Sequence, residues 1–113
     1  MPEPFEEMAE LDRLVHEPAR LAILTALSAC RSADFNYLQT LTGLNKGNLS
    51  SHLSRLEASD LVSVEKSFAG RQPRTTIAIT PSGRARIEGH WENLADLRRR
   101  SRRWVAREAG PSS

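Results

Sequence analysis

Cysteine is nearly absent. Cys30 stands alone in a chain of 113 residues, which excludes an internal disulfide framework and suits a reducing cytoplasm. There is no run of about 18 apolar residues, the length a membrane-spanning helix needs. The opening Met1-Pro2-Glu3-Pro4-Phe5-Glu6-Glu7 is acidic and lacks the basic-then-apolar order of a signal peptide, so a cytoplasmic protein without membrane contact is expected. Aromatic residues make up 5% of the chain against a hydrophobic fraction of 39%. The core must therefore come from Leu, Ile, Val and Ala. No nucleophile stands beside a base in a recognisable arrangement, and there is neither a phosphate-binding loop nor a carboxylate pair of obvious geometry. The expectation is a protein that is not an enzyme. His16, His52 and His90 are scattered and no C-x-x-C or H-x-x-x-H spacing occurs, so no metal site and no cofactor are expected.

One globular domain is implied by the length and by a charged fraction of 27%. So short a chain buries a modest core, which oligomerisation would supplement. A net charge of +2 is weak for a nucleic-acid binder, but its distribution is not even. Residues 3–12 carry Glu3, Glu6, Glu7, Glu10 and Asp12 with no base, whereas residues 98–107 carry Arg98, Arg99, Arg100, Arg102, Arg103 and Arg107 with no acid. Ends of opposite sign invite pairing, within one chain or across a dimer.

Residues 45–57 say most about function. Leu49, Leu53 and Leu56 form one apolar edge at i, i+4 and i+7, a helical period. The remaining side chains are small, amide, hydroxyl or basic: Asn45, Lys46, Gly47, Asn48, Ser50, Ser51, His52, Ser54 and Arg55. Such a face packs poorly and is suited to hydrogen bonding with base edges in a major groove. His52 lies off the leucine edge, placed either to reach a backbone phosphate or to pack at the helix flank. Upstream, residues 34–42 read as a short helix with Tyr37, Leu38 and Leu41 inward. Gly43 provides a left-handed stop, Leu44 an apolar plug and Asn45 a cap for the next helix. Helix, short Gly-containing turn and helix make a helix-turn-helix, whose second helix enters the groove.

Downstream, residues 61–68 and 74–80 alternate apolar and polar and read as two strands, with Val62, Val64, Ile77 and Ile79 on the core side. Gly70 and Pro73 mark the turn between them. Lys66, Arg71, Gln72 and Arg74 give this hairpin a basic tip that can contact phosphates or a minor groove. Thr80 and Pro81 then open a last helix.

The order of these elements resembles the winged helix-turn-helix transcriptional regulators of the MarR/ArsR type. The resemblance rests on Glu17-Pro18-Ala19-Arg20-Leu21-Ala22-Ile23-Leu24, on the helix 45–56, on Glu57-Ala58-Ser59-Asp60-Leu61-Val62 and on Ile79-Thr80-Pro81-Ser82-Gly83-Arg84. It spans residues 14–97 and departs from the family at Asp60, where glycine is common. It implies a mainly α fold with a small β-wing (α+β), residues 16–80 being the DNA-binding domain and residues 81–107 a long C-terminal dimerisation helix.

Residues 1–15 are expected to add an acidic amphipathic helix to the dimer contact, and residues 108–113 to form a disordered tail. The expected dimer interface takes Phe5, Met8 and Leu11 from the first helix and Ile87, Trp91, Leu94, Leu97 and Trp104 from the last. Val15 extends the apolar edge of the first. For the arginine run, pairing with the acidic arm ranks ahead of a frayed tail and of contact with DNA.

The function expected is a sequence-specific regulator, in the first instance a repressor, that binds double-stranded DNA as a homodimer. The alternatives are a protein–protein module on the same fold and an architectural DNA binder without operator preference. Relatives of the ArsR type often sense metals through recognition-helix cysteines, and this helix has none. A small-molecule effector is left open, and no residue set singles one out.

Overall fold

Helix starts in this chain are written into single side chains. Glu17 accepts from the amides of Ala19 and Arg20 at 3.2 and 2.9 Å and precedes Pro18. Asn45 accepts from the Asn48 amide at 2.8 Å. Thr80 accepts from the Gly83 amide at 2.9 Å ahead of Pro81. Each satisfies amides that the first helical turn leaves unpaired. In the computed structural model, which describes residues 3–104, the elements follow in order. They are α1 (Pro4–Ala9), α2 (Pro18–Ser28), β1 (Ala33–Asp34), α3 (Phe35–Thr42), α4 (Lys46–Ala58), β2 (Val62–Ala69), β3 (Gln72–Ile79) and α5 (Pro81–Arg103).

The helix-turn-helix is α3–α4. Gly43 closes α3 at φ 70°, the left-handed stop expected there. At the far end of α4 the chain turns on Asp60 at φ 58°. The amides of Asp60 and Leu61 bond back to the carbonyls of Glu57 and Leu56 at 3.0 and 2.9 Å, a Schellman cap with an apolar residue just past it. Asp is among the few residues that tolerate this conformation, which accounts for its standing where glycine is common.

The sheet is antiparallel in the order β1-β3-β2. β2 and β3 pair from Val62↔Ile79 to Ala69↔Gln72. The two-residue turn places Gly70 at φ 66° in its first central position, as a type II′ hairpin requires. Pro73 is tolerated because β1 reaches only Thr76 and Ile77, so β3 is an edge strand at that point. The two-residue β1 is too short to show alternation in the sequence.

Ile23, Leu24, Leu27, Leu38, Leu49, Leu56, Leu61, Val62, Ile77 and Ile87 form the centre of one apolar core. Val64 and Ile79 pack against it, so the core side of the hairpin is as expected. Within α3 only Leu38 is buried. Tyr37 and Leu41, expected inward, are 59% and 53% exposed. The helix docks along Leu38 with Phe35 packed beside it, which turns its Tyr37 and Leu41 edge outward.

The N-terminal region is less helical than its apolar period suggests. α1 stops at Ala9, and Asp12 takes over the backbone by accepting from the amides of Leu14 and Val15 at 3.0 and 3.4 Å. An Asx-type turn of this kind competes with helix. It drops Val15 into the core at 0% exposure and removes it from a continuous amphipathic edge. α1 packs on the C-terminal half of α5. There Arg100 bonds Glu7 at 2.5 Å and Asp96 at 3.0 Å, so one arginine of the run meets the acidic arm within the chain. Ile87 and Leu97, expected at a dimer interface, are 1% and 0% exposed inside the subunit. α5 ends at Arg103, and residues 105–107 of the expected helix, like the expected tail 108–113, lie outside the described residues.

Candidate nucleic-acid interface

The leucine edge of α4 is fully committed to the core: Leu49, Leu53 and Leu56 are 0%, 4% and 0% exposed. At 3.6 residues per turn this orients everything else on the helix. Gly47, Ser51, Ser54 and Arg55 point most directly outward, and Asn45, Lys46, Asn48 and Ser50 are exposed beside them. One flank faces the wing. Lys46, Ser50, Leu53, Ser54 and Glu57 line a cavity of about 350 Å³ together with Val64, Lys66 and Thr75 from the two long strands. Lys46 and Lys66, remote in sequence, thus sit on opposite walls of one cleft. The helix presents a narrow convex edge of hydroxyls, an amide and a guanidinium, a shape that enters a major groove.

Beyond that cleft the hairpin continues past the body of the molecule. Lys66, Arg71, Gln72 and Arg74 are all exposed. Among the described residues, Lys46, Arg55, Lys66, Arg71 and Arg74 take part in no salt bridge, whereas Arg86, Arg99 and Arg100 on α5 are all paired with carboxylates. These five free cations share the α4–wing face, while Arg98, Arg102 and Arg103 at the end of α5 form a second group outside any salt bridge among the described residues. Phe68, which the alternation places with the core residues, is 73% exposed near the wing tip. Its strand runs out past the core, so the face that is buried at Val62 is bare at Phe68.

His52 occupies the other flank of α4 and is half-buried. Its Nδ1 lies 3.1 Å from Arg20 Nη1 and 3.7 Å from Glu17 Oε2. Burial opposes ionisation of Glu17, but the amides of Arg20 and Ala19 and the Arg20 guanidinium outweigh it and hold the carboxyl below its ordinary value. Arg20, 7% exposed, also donates from Nε to the Leu14 carbonyl at 2.6 Å and from Nη2 to that of Arg13 at 3.3 Å. Nothing in the spacing of the sequence pairs Arg20 with His52.

Two more groups come together unannounced. His16 Nδ1 lies 3.1 Å from His90 Nε2, joining the N-terminal turn to α5 beside the Asp12–Arg86 ion pair at 2.7 Å. Burial first, and then His16, lower the pKa of His90, against a pull from Asp12. A histidine whose native pKa lies below its ordinary 6.5 binds fewer protons folded than unfolded, so stability rises with pH through that window. Urea unfolding on either side of 6.5 is expected to show a loss of stability as pH falls below it, and His90→Gln should flatten that dependence. Among the described residues no group of three or more His, Cys, Asp or Glu side chains could hold a metal.

The geometry sets a grooved-edge helix beside a basic two-stranded wing. The family model for the winged helix DNA-binding domain matches residues 19–97, which takes in α2 through most of α5. This chain belongs to the winged-helix DNA-binding family. The winged-helix chain is 31% identical over 85 residues to an uncharacterized protein of Methanocaldococcus jannaschii, covering 75% of this chain and 92% of that one. A transcriptional regulator homologue from Pyrococcus horikoshii superposes with a TM-score of 0.77 at 31% identity, over 85% of this chain and 94% of the other. A MarR-family regulator from Silicibacter pomeroyi gives a TM-score of 0.62 at 25% identity, over 92% and 67%. The chain is a winged-helix transcriptional regulator of MarR-like fold, and no helix among its described residues is long and apolar enough to cross a membrane.

Proposed function

We propose that this regulator is a sequence-specific repressor that occupies a near-palindromic operator as a homodimer. The observation that carries the reading is the unpaired basic wing standing next to the hydroxyl-rich outer edge of α4. Two recognition helices related by a two-fold axis would enter successive major grooves with half-site centres about one turn, roughly 10 bp, apart. Base reading falls to Asn48, Ser50, Ser51, Ser54 and Arg55, with Asn45, Lys46 and Gly47 at the leading end of the helix. Arg71, Gln72 and Arg74 of the wing, with Lys66, would hold the backbone. A wing phosphate contact carries no sequence information and releases counterions. Arg71→Ala and Arg74→Ala are each expected to weaken operator and random DNA alike, and to reduce the slope of log affinity against log salt by about one. An unchanged slope would remove the wing from the interface.

For the dimer, Phe5, Trp91 and Trp104 supply the support, being 46%, 45% and 43% exposed. Phe5 meets Trp104 edge-to-face at 5.1 Å, so α1 and the end of α5 present one apolar surface. Met8, Leu11 and Leu94 are partly buried nearby. Sedimentation at micromolar concentration is expected to give a dimer, and Trp91→Asp to shift it toward monomer. A monomeric wild type would remove the palindromic operator.

A further inference from the structure

Arg20 is a buried cation with no catalytic work to do, and its hydrogen bonds dictate the chemistry of a neighbour. A guanidinium has only donors and does not lose its proton in a protein. Its Nε and Nη2 are spent on the Leu14 and Arg13 carbonyls, and its Nη1 faces His52 Nδ1 at 3.1 Å. For that contact to be a hydrogen bond, Nδ1 must accept. The proton of the neutral ring is then on Nε2. An N–H on Nδ1, or an imidazolium, would set donor against donor, and Glu17 Oε2, 3.7 Å from Nδ1, stands beyond hydrogen-bond distance of it. Among the described residues Nε2 has no partner and is open to solvent, on a side chain 22% exposed. It lies on the α2 flank of α4, opposite the wing cleft, where a helix in a major groove runs beside the sugar–phosphate backbone.

We propose that Arg20 is a positioning residue for DNA binding: it locks His52 in the Nε2–H form and so presents that N–H to a backbone phosphate. The inference rests on the DNA-binding reading above. It assigns a role to a side chain that never touches DNA, and it makes His52 a neutral donor. The contact adds affinity without counterion release, so it leaves the salt slope unchanged.

The test combines ring spectroscopy with two amide substitutions. Nitrogen-detected spectra of the full-length chain, labelled at histidine, should show His52 with a protonated Nε2 and a bare Nδ1 at neutral pH. In Arg20→Met that preference should be lost. His52→Asn places a carbonyl where Nδ1 stood but has nothing to reach the phosphate. His52→Gln can place an N–H near the Nε2 position. His52→Asn is expected to bind operator about tenfold more weakly with the wild-type salt slope, and His52→Gln to recover most of the loss. If Arg20→Met does not fold, the wild-type spectrum and the amide pair still decide. A protonated Nδ1 in the wild type, an unchanged Nε2–H preference in folded Arg20→Met, or His52→Asn binding as tightly as wild type overturns the inference and leaves the DNA reading standing. Failure of the wild type to bind any duplex overturns both.

Discussion

Replacing Gly83 with alanine is expected to destabilise the protein by about 3 kcal/mol, the upper end for forcing atoms into a packed site. Gly83 is buried in the first turn of α5. A Cβ there would land on the Leu61 carbonyl oxygen, 2.9 Å from the carbonyl carbon and 3.0 Å from Ile79 Cγ1. The obstacle is backbone and cannot rotate away. Leu61 is tied on both sides, by its own amide to Leu56 and by its carbonyl, which accepts from the Thr80 amide at 3.0 Å. It is also 2% exposed. Room for one methyl group must therefore come from shifting the end of α4 or the start of α5. Gly89 of the same helix has nothing within 4 Å of its added Cβ. Gly89→Ala should accordingly stabilise by up to about 1 kcal/mol through helix propensity alone. Urea unfolding of the two variants measures both. Equal stability of Gly83→Ala and wild type would mean that α5 does not approach the α4–β2 junction this closely.

Arg55→Ala is expected to cut operator affinity by about 1–3 kcal/mol, roughly 5- to 150-fold, while leaving random-sequence binding far less affected. Arg55 is exposed on the outer edge of α4, carries no ion-pair partner among the described residues, and has the planar fork that pairs with the O6 and N7 acceptors of guanine. A long side chain is needed at this position because the N-terminal turns of the helix lie nearer the bases. Competition binding with operator and scrambled duplexes at one fixed salt concentration separates the effect from the general loss expected of a wing arginine. An unchanged ratio of the two affinities would show that Arg55 does not read a base.

Local features of the fold were legible because each depends on a few adjacent residues. Gly43, Asn45 and Thr80-Pro81 mark helix ends through backbone needs that no distant contact changes. The leucine edge of α4 and the Val62, Val64, Ile77, Ile79 face follow from period alone. What escaped depends on neighbours far off in the chain. Tyr37 looks like core by composition, yet the seat of α3 along Leu38 leaves it outside. Val15 continues a helical period that Asp12 breaks. Ile87 and Leu97 look free for a partner subunit until the chain's own α2, β3 and α1 cover α5. In the candidate site, the exposed edge of α4 and the basic wing were visible from residue type. The Arg20–His52 and His16–His90 contacts bridge 32 and 74 residues, and no spacing rule reaches that far.

Titration against two labelled duplexes at several salt concentrations decides whether this chain recognises a DNA sequence. One duplex carries the promoter region of the protein's own gene, and the other a scrambled sequence of equal length and composition. A strong preference for the promoter together with a steep salt dependence is expected. Equal affinity for both duplexes would contradict sequence-specific recognition of this promoter and favour an architectural DNA binder or a distant operator, and failure to bind either at low salt would favour a protein-interaction role for the same fold.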